Sequence, residues 1–173
     1  MLDESGFMLQ PLVRRTWAPR GQTPLLYNWE GHDKLSAISA IIVSPIRHQL
    51  GLYFDIQNTN ICIEDFVLFV WQLLVHFPKG VIVVLDRWLV HRWGAKRLRR
   101  RFARRVELEW LPPYAPELNP VEQVWNHSKY SDLANYIPDD VYELKRAVCS
   151  SINHIRSQKP LLRSFFEKAE LKI

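Results

Sequence analysis

Four acidic residues stand where a phosphoryl-transfer site can be built: Asp3 and Glu4 at the start of the chain, Asp86 in its middle and Glu122 beyond. Asp86 directly follows the apolar run Val81-Ile82-Val83-Val84-Leu85. It therefore sits at the carboxyl end of a predicted strand, where ligand sites collect in open α/β sheets. The competing reading is a cap for the helix that follows. Glu122 is the third residue of a helix start, with Asn119 as N-cap and Pro120 in the first position. That arrangement is close to a capping box, with Asn in place of Ser or Thr. It also fixes a carboxylate at the edge of a proline-rich loop, as a metal ligand requires. Asp3 and Glu4, taken alone, read as polar residues of an ordinary N-terminus. Metal chemistry can join them. Mg²⁺ prefers carboxylate oxygens and keeps several waters. Two such ions, about 3.5–4 Å apart, activate an attacking oxygen and stabilise a leaving one. Carboxylates from separate elements can hold that pair.

Other chemistries find no support. The sequence has no H-E-x-x-H, no paired cysteines, no P-loop and no G-x-G-x-x-G, which argues against zinc proteolysis, nucleotide hydrolysis and dinucleotide redox chemistry. Cys62 and Cys149 are expected to be buried thiols. No apolar run is long enough to span a membrane, and the first residues lack the pattern of a signal peptide, so a cytoplasmic protein is expected.

The 173 residues suit a single domain, and 47% hydrophobic with 24% charged residues is an ordinary globular composition. The net charge of +5 favours a polyanionic partner. Nine of the 23 basic residues fall within residues 87–105: Arg87, Arg92, Lys96, Arg97, Arg99, Arg100, Arg101, Arg104 and Arg105. No acidic residue interrupts them, so a DNA phosphate track is preferred to a solvated helix face. His91 lies within the stretch and is a candidate for approach to the active site or DNA, or for a structural hydrogen bond. Trp88 and Trp93 either stack on bases or pack in the core.

The elements that must position these groups follow from period and punctuation. A short first strand begins near Met1 and includes Phe7-Met8-Leu9. Residues 14–24, with Pro19, Gly21 and Pro24, form a connection. Residues 34–44 and 49–56 form a strand pair ended by Pro45. Apolar residues at helical spacing predict a helix over 61–77, capped by Asn60 and closed by Pro78 and Gly80. The run 81–85 reads as a strand buried on both faces. A basic helix is predicted over 91–103, a fifth strand over 106–111, a helix from Pro120 and further helices over 138–158 and 160–171. Trp125 is expected to pack in the core.

The string Leu111-Pro112-Pro113-Tyr114-Ala115-Pro116-Glu117-Leu118-Asn119-Pro120-Val121-Glu122-Gln123-Val124-Trp125 resembles the third catalytic motif of DDE transposases of the Tc/mariner superfamily, in its bacterial insertion-sequence branch. Val84-Leu85-Asp86 with His91-Arg92 resembles the second motif. Asp3-Glu4-Ser5-Gly6-Phe7, with Trp17-Ala18-Pro19-Arg20-Gly21, resembles the first. Asp86 and Glu122 stand 36 positions apart, close to the family's interval. The resemblance covers nearly the whole chain.

The resemblance implies a ribonuclease-H-like α/β fold: a mixed five-stranded sheet flanked by helices, with Asp3 and Asp86 side by side on strands one and four. It implies one catalytic domain over residues 1–173, with the C-terminal helices of 138–171 packed on it. Asp3, Asp86 and Glu122 match the acidic triad, and Glu4 and Glu117 match motif positions outside it. The implied ions are Mg²⁺, with Mn²⁺ as substitute, and are two in number. The implied reaction is strand cleavage at a transposon end, followed by attack of the freed 3′ hydroxyl on target DNA at a TA dinucleotide. The implied assembly is a homodimer on DNA at the bacterial nucleoid. Two departures stand out. Arg87 occupies a position where the family often has Asn, and an arginine there can lower the Asp86 pKa or contact phosphate. The family's upstream helix-turn-helix domains are not in this sequence. The expectation is therefore a truncated first strand, with end recognition supplied by an upstream-encoded polypeptide. A catalytically silent remnant that binds DNA or partner subunits is the alternative, and a stand-alone nuclease of the same fold is the third reading.

Overall fold

The computed structural model describes residues 1–27, 33–113 and 115–171, so Tyr114 of the third motif lies outside the described residues. Strand β1 (Leu2–Met8) pairs antiparallel with β2 (Lys34–Val43), which pairs antiparallel with β3 (Leu50–Gln57). The register sets Asp3 opposite Ser39 and Glu4 opposite Ile38. Side chains alternate across a strand, so these two neighbouring carboxylates project from opposite faces of the sheet. On the Asp3 side, Phe7 joins a core built with the C-terminal helices. On the Glu4 side, Leu2 joins a core with the two central helices and the second pair of strands.

The central helices are made by spacing. Helix α1 (Ile63–His76) buries Phe66, Phe69, Val70, Leu73 and Leu74, one helical stripe. Its N-cap is Cys62 rather than Asn60: the Asp65 carboxylate, three residues on, accepts the Cys62 N–H at 2.8 Å. The end follows expectation. Gly80 takes φ 107°, and a Cβ there would come within 2.6 Å of the Arg105 carbonyl oxygen. Strand β4 (Val81–Leu85) leads into α2 (Leu89–Phe102), which returns to β5 (Val106–Trp110), parallel to β4. Helix α2 lies so close to α1 that a Cβ on Gly94 would meet the Phe66 ring at 2.3 Å.

Two expectations are corrected here. The strands form a three-stranded antiparallel sheet and a two-stranded parallel one, not a single five-stranded sheet. Strand β1 lies beside β4, and Leu2 shares a core with Val83 and Leu85, yet no ladder joins them among the described residues. Side-chain packing tolerates separations of about 4 Å between atoms, whereas a ladder bond needs about 3 Å. Side-chain contacts, not ladder bonds, hold the strands together. Nor is β4 buried on both faces: Ile82 is 63% exposed, in register with the exposed Glu107.

The chain then passes a 3₁₀ turn (Pro116–Leu118) into α3 (Pro120–His127), which runs on into a π-helical turn (Ser128–Asp132). Helix α4 (Val141–Ser157) starts from Asp140, which accepts the Glu143 N–H at 2.7 Å while the Glu143 carboxylate accepts the Asp139 N–H at 2.6 Å. Helix α5 (Lys159–Lys168) completes the first core with Leu162, Phe165 and Phe166. Cys62 is exposed and Cys149 half-buried, so neither is the fully buried thiol expected. No helix among the described residues is long and apolar enough to cross a membrane.

Candidate active site

Asp3 projects from β1 toward α3 and is 8% exposed. The Trp125 indole N–H donates to its Oδ2 at 2.8 Å. Trp125 is in the core, edge-on to Phe7 with centroids 6.1 Å apart, so packing fixes the donor. Burial, together with the negative charges of Glu122, Glu4 and Asp86, pushes the Asp3 carboxyl up to about 8, against the pull of Trp125.

Asp86 stands at the end of β4. Its Oδ1 accepts from His91 Nδ1 at 2.5 Å and from the Trp88 N–H at 3.0 Å. The His91 hydrogen bond, aided by Trp88, holds this carboxyl below its usual range against the opposing effect of burial. Arg87 is not the cause. The bond to Trp88 also turns the chain into α2, so one carboxylate both shapes the local backbone and meets His91. His91 is fully buried, and its Nε2 lies 2.9 Å from both Glu4 oxygens. Burial lowers its pKa, but Asp86 and Glu4 outweigh that and raise it to about 9. The ring is thus an imidazolium, donating from both nitrogens.

Glu122 is placed by Asn119. The Asn119 Oδ1 accepts the Val121 N–H at 3.2 Å, and its amide donates to the Leu2 carbonyl at 3.3 Å. One residue thereby caps α3 and ties its start to β1 beside Asp3. The cap is made through Val121, which leaves the Glu122 carboxylate to the acidic cluster. Burial and Asp86 raise its pKa, opposed by Lys129. Lys129 comes from the π-helical turn, and its ammonium donates to Ser5 Oγ at 2.6 Å. Burial lowers its pKa, against the pull of Glu122 and Asp3.

Asp3, Asp86 and Glu122 thus come from three elements and feel one another's charge. Among the described residues, no three His, Cys, Asp or Glu side chains close on a single point as a ready ion site. The donor set nevertheless suits a hard dication. Asp3 is held through Oδ2 and Asp86 through Oδ1, which leaves one oxygen of each for an ion. Burial first, and then the negative charges of Glu122, Glu4 and Asp86, raise the Asp3 pKa, and a dication there would offset those charges.

The predicted DNA-binding residues divide. Arg87, Arg92, Lys96, Arg99, Arg100, Arg101 and Arg104 are exposed, and the Lys96 ammonium lies 4.2 Å over the Trp93 ring. His91 faces inward with both nitrogens taken, so it offers DNA no surface; its place is structural. Arg97 pairs with Glu64 of α1, an acidic neighbour that the local sequence does not show. Arg105 turns inward onto the Leu74 carbonyl. The sequence marks Glu4 only as a motif position outside the triad and Trp125 only as core, and it gives Lys129 no role. For Trp125 the available signal was helical spacing, three residues after Glu122 on α3, whereas Lys129 lies beyond α3 in the π-helical turn.

The fold is mixed α/β, and the chain belongs to the DDE superfamily endonucleases, whose family model matches residues 1–145. The fold is also that of the Mos1 transposase. Its paired-end complex with the left transposon end gives a TM-score of 0.65 at 15% identity, covering 98% of this chain and 50% of that one. The Mos1 strand transfer complex gives 0.63 at 16% identity, covering 98% and 51%. The Mos1 mariner paired-end complex with Mn gives 0.62 at 16% identity, covering 98% and 50%. This chain therefore spans about half the length of the Mos1 chains it matches. A curated relative is the uncharacterized protein y4pE/y4sA of Sinorhizobium fredii (strain NBRC 101917 / NGR234), 38% identical over 53 residues, which are 31% of this chain and 39% of the relative.

Proposed function

We propose that this chain is the catalytic domain of a Tc/mariner-type DNA transposase, which cleaves and joins DNA strands with divalent ions, Mg²⁺ or Mn²⁺, held by Asp3, Asp86 and Glu122. The observation that supports the reading is that Asp86 and Glu122, from the end of β4 and from α3, both act by charge on Asp3 of β1, and Asp86 on Glu122. Bound divalent ions would supply Lewis-acid polarisation of the phosphate and a more acidic attacking water or hydroxyl. The chain's own part is placement. Trp125 fixes the rotation of Asp3, His91 that of Asp86, and Asn119 the entry of α3 that carries Glu122. Lys129, next to Asp3 and Glu122, offers a cation toward a phosphate bound there. Exposed Arg87 and Arg92, at the start of α2, can take neighbouring phosphates of the same strand. A single domain that includes α4 and α5 agrees with their share of the core.

The test is Mn²⁺-dependent thermal stabilisation of the parent, Asp86→Asn and Glu122→Gln, since a ligand of the native state raises its melting temperature by mass action. Saturable stabilisation in the parent, absent from both variants, is expected. Equal response in all three would favour the alternative reading, a catalytically silent relative that only binds DNA or partner subunits.

A further inference from the structure

Glu4 and Asp86 belong to strands that no ladder joins among the described residues, yet one side chain bridges them. His91 donates from Nδ1 to Asp86 Oδ1 at 2.5 Å and from Nε2 to Glu4, 2.9 Å from both its oxygens. Its ring is wholly buried against Phe66, with centroids 5.0 Å apart, and edge-on to Trp88 at 5.5 Å. Gly94, on the same buried stripe of α2 as His91, also lies against Phe66, so the imidazole is set in a closely packed wall. We propose that Glu4 is a positioning residue of the metal site: acting through His91, it fixes the reach and rotation of Asp86 relative to Asp3, its own neighbour on β1.

The alternation of β1 explains why the acidic pair is adjacent. Asp3 faces α3 and Glu4 faces α2, and one peptide unit separates them. Any slip of β1 against β4 that would part Asp3 from Asp86 must also stretch the Glu4–His91 contact. The bridge thus does the work that ladder bonds do between paired strands. It also engages only Oδ1 of Asp86. A carboxylate–histidine link behind a metal-binding carboxylate tunes affinity through orientation. The competing role for Glu4 is charge compensation of a buried imidazolium, which would affect stability alone.

The inference rests on the reading of Asp3, Asp86 and Glu122 as metal ligands, and the test separates the two. Free Mn²⁺ is followed by its electron paramagnetic resonance signal during titration of the parent, Asp3→Asn, Glu4→Ala and Glu4→Gln, and each metal-free protein is melted in parallel. The parent is expected to bind saturably and Asp3→Asn to lose that binding. Glu4→Ala should weaken it by about tenfold or more. Glu4→Gln, whose amide oxygen still accepts from Nε2, should stay within about threefold of the parent. If Glu4→Ala melts lower but binds Mn²⁺ like the parent, Glu4 only compensates charge and the inference is overturned. If the parent and Asp3→Asn bind alike, the ligand assignment fails and this role for Glu4 falls with it. Should Glu4→Ala not fold, Glu4→Leu, closer in volume and unable to accept, takes its place and must show the same loss.

Discussion

The Trp125 indole N–H donates to Asp3 Oδ2 at 2.8 Å across 122 positions of sequence, in a place where both residues are almost fully buried. A core tryptophan is thus also the group that aims a site carboxylate. The two roles can be separated. Trp125→Phe keeps most of the packing and removes the donor. A buried hydrogen bond to a chargeable group contributes about 1.5–3 kcal/mol. In a double-mutant cycle with Asp3→Leu, which removes the acceptor at similar volume, urea unfolding should therefore give a coupling energy of about 1 kcal/mol or more. Additive effects would show that the indole only fills space.

Asp3 and His91 give the metal-free protein a definite pH response. The Asp3 carboxyl is raised from 3.8 to about 8. Between those values the folded protein holds a proton that the unfolded chain has lost, so this contribution to stability declines as pH rises through the window and is constant above it. His91 is raised from 6.5 to about 9. Its contribution is full below 6.5 and is lost as pH climbs through 9. Both act in the same direction, so the metal-free protein should melt higher at pH 5 than at pH 9. Mn²⁺ must displace the Asp3 proton, so its stabilising effect should grow with pH up to about 8. Melting curves at pH 5, 7 and 9, with and without Mn²⁺, check both signs. A metal effect independent of pH would mean that Asp3 is not a ligand.

Gly94 is set by contact rather than by conformation. Its missing Cβ would stand 2.3 Å from one atom of the Phe66 ring and 2.7 Å from another, and Phe66 is fully buried. Gly94→Ala should therefore destabilise the protein by about 1–3 kcal/mol, despite the better helix propensity of alanine. Denaturant unfolding measures this. A neutral or stabilising result would mean that α1 and α2 separate at little cost.

The site was legible in sequence where local signals are strong, and hidden where contacts are long-range. Asp86 is marked by the β-branched run before it, and the helix start at Glu122 by the Asn-Pro pair. Asp3 has no such mark and gains meaning only from the other two. For His91 the sequence leaves DNA contact and a structural hydrogen bond both open, because the arginines around it dominate the segment. Yet His91, Gly94, Ala95 and Leu98 form the buried stripe of α2, a spacing that the sequence contains. The Arg97–Glu64 pair spans 33 positions, and no pattern announces it. The break between β1 and β4 was also invisible, since the same apolar residues serve a ladder or a packed pair. The π-helical turn that delivers Lys129 has no composition of its own.

Helix α2 is 14 residues long, about 21 Å at 1.5 Å per residue. Its exposed cations therefore reach well beyond the phosphates nearest Asp86, and the distal group, Arg99, Arg100 and Arg101, would meet a more distant part of the duplex. Each phosphate neutralised adds about 0.9 to the slope of log affinity against log salt. Changing all three to Ala should weaken binding of duplex DNA at low salt and flatten that slope by about 1–3. Arg97→Ala should change it less, because Arg97 already faces Glu64. Salt titrations by fluorescence anisotropy on one labelled duplex compare them directly. If the triple variant keeps the parent's slope, DNA does not follow α2, and the basic stretch is a solvated face.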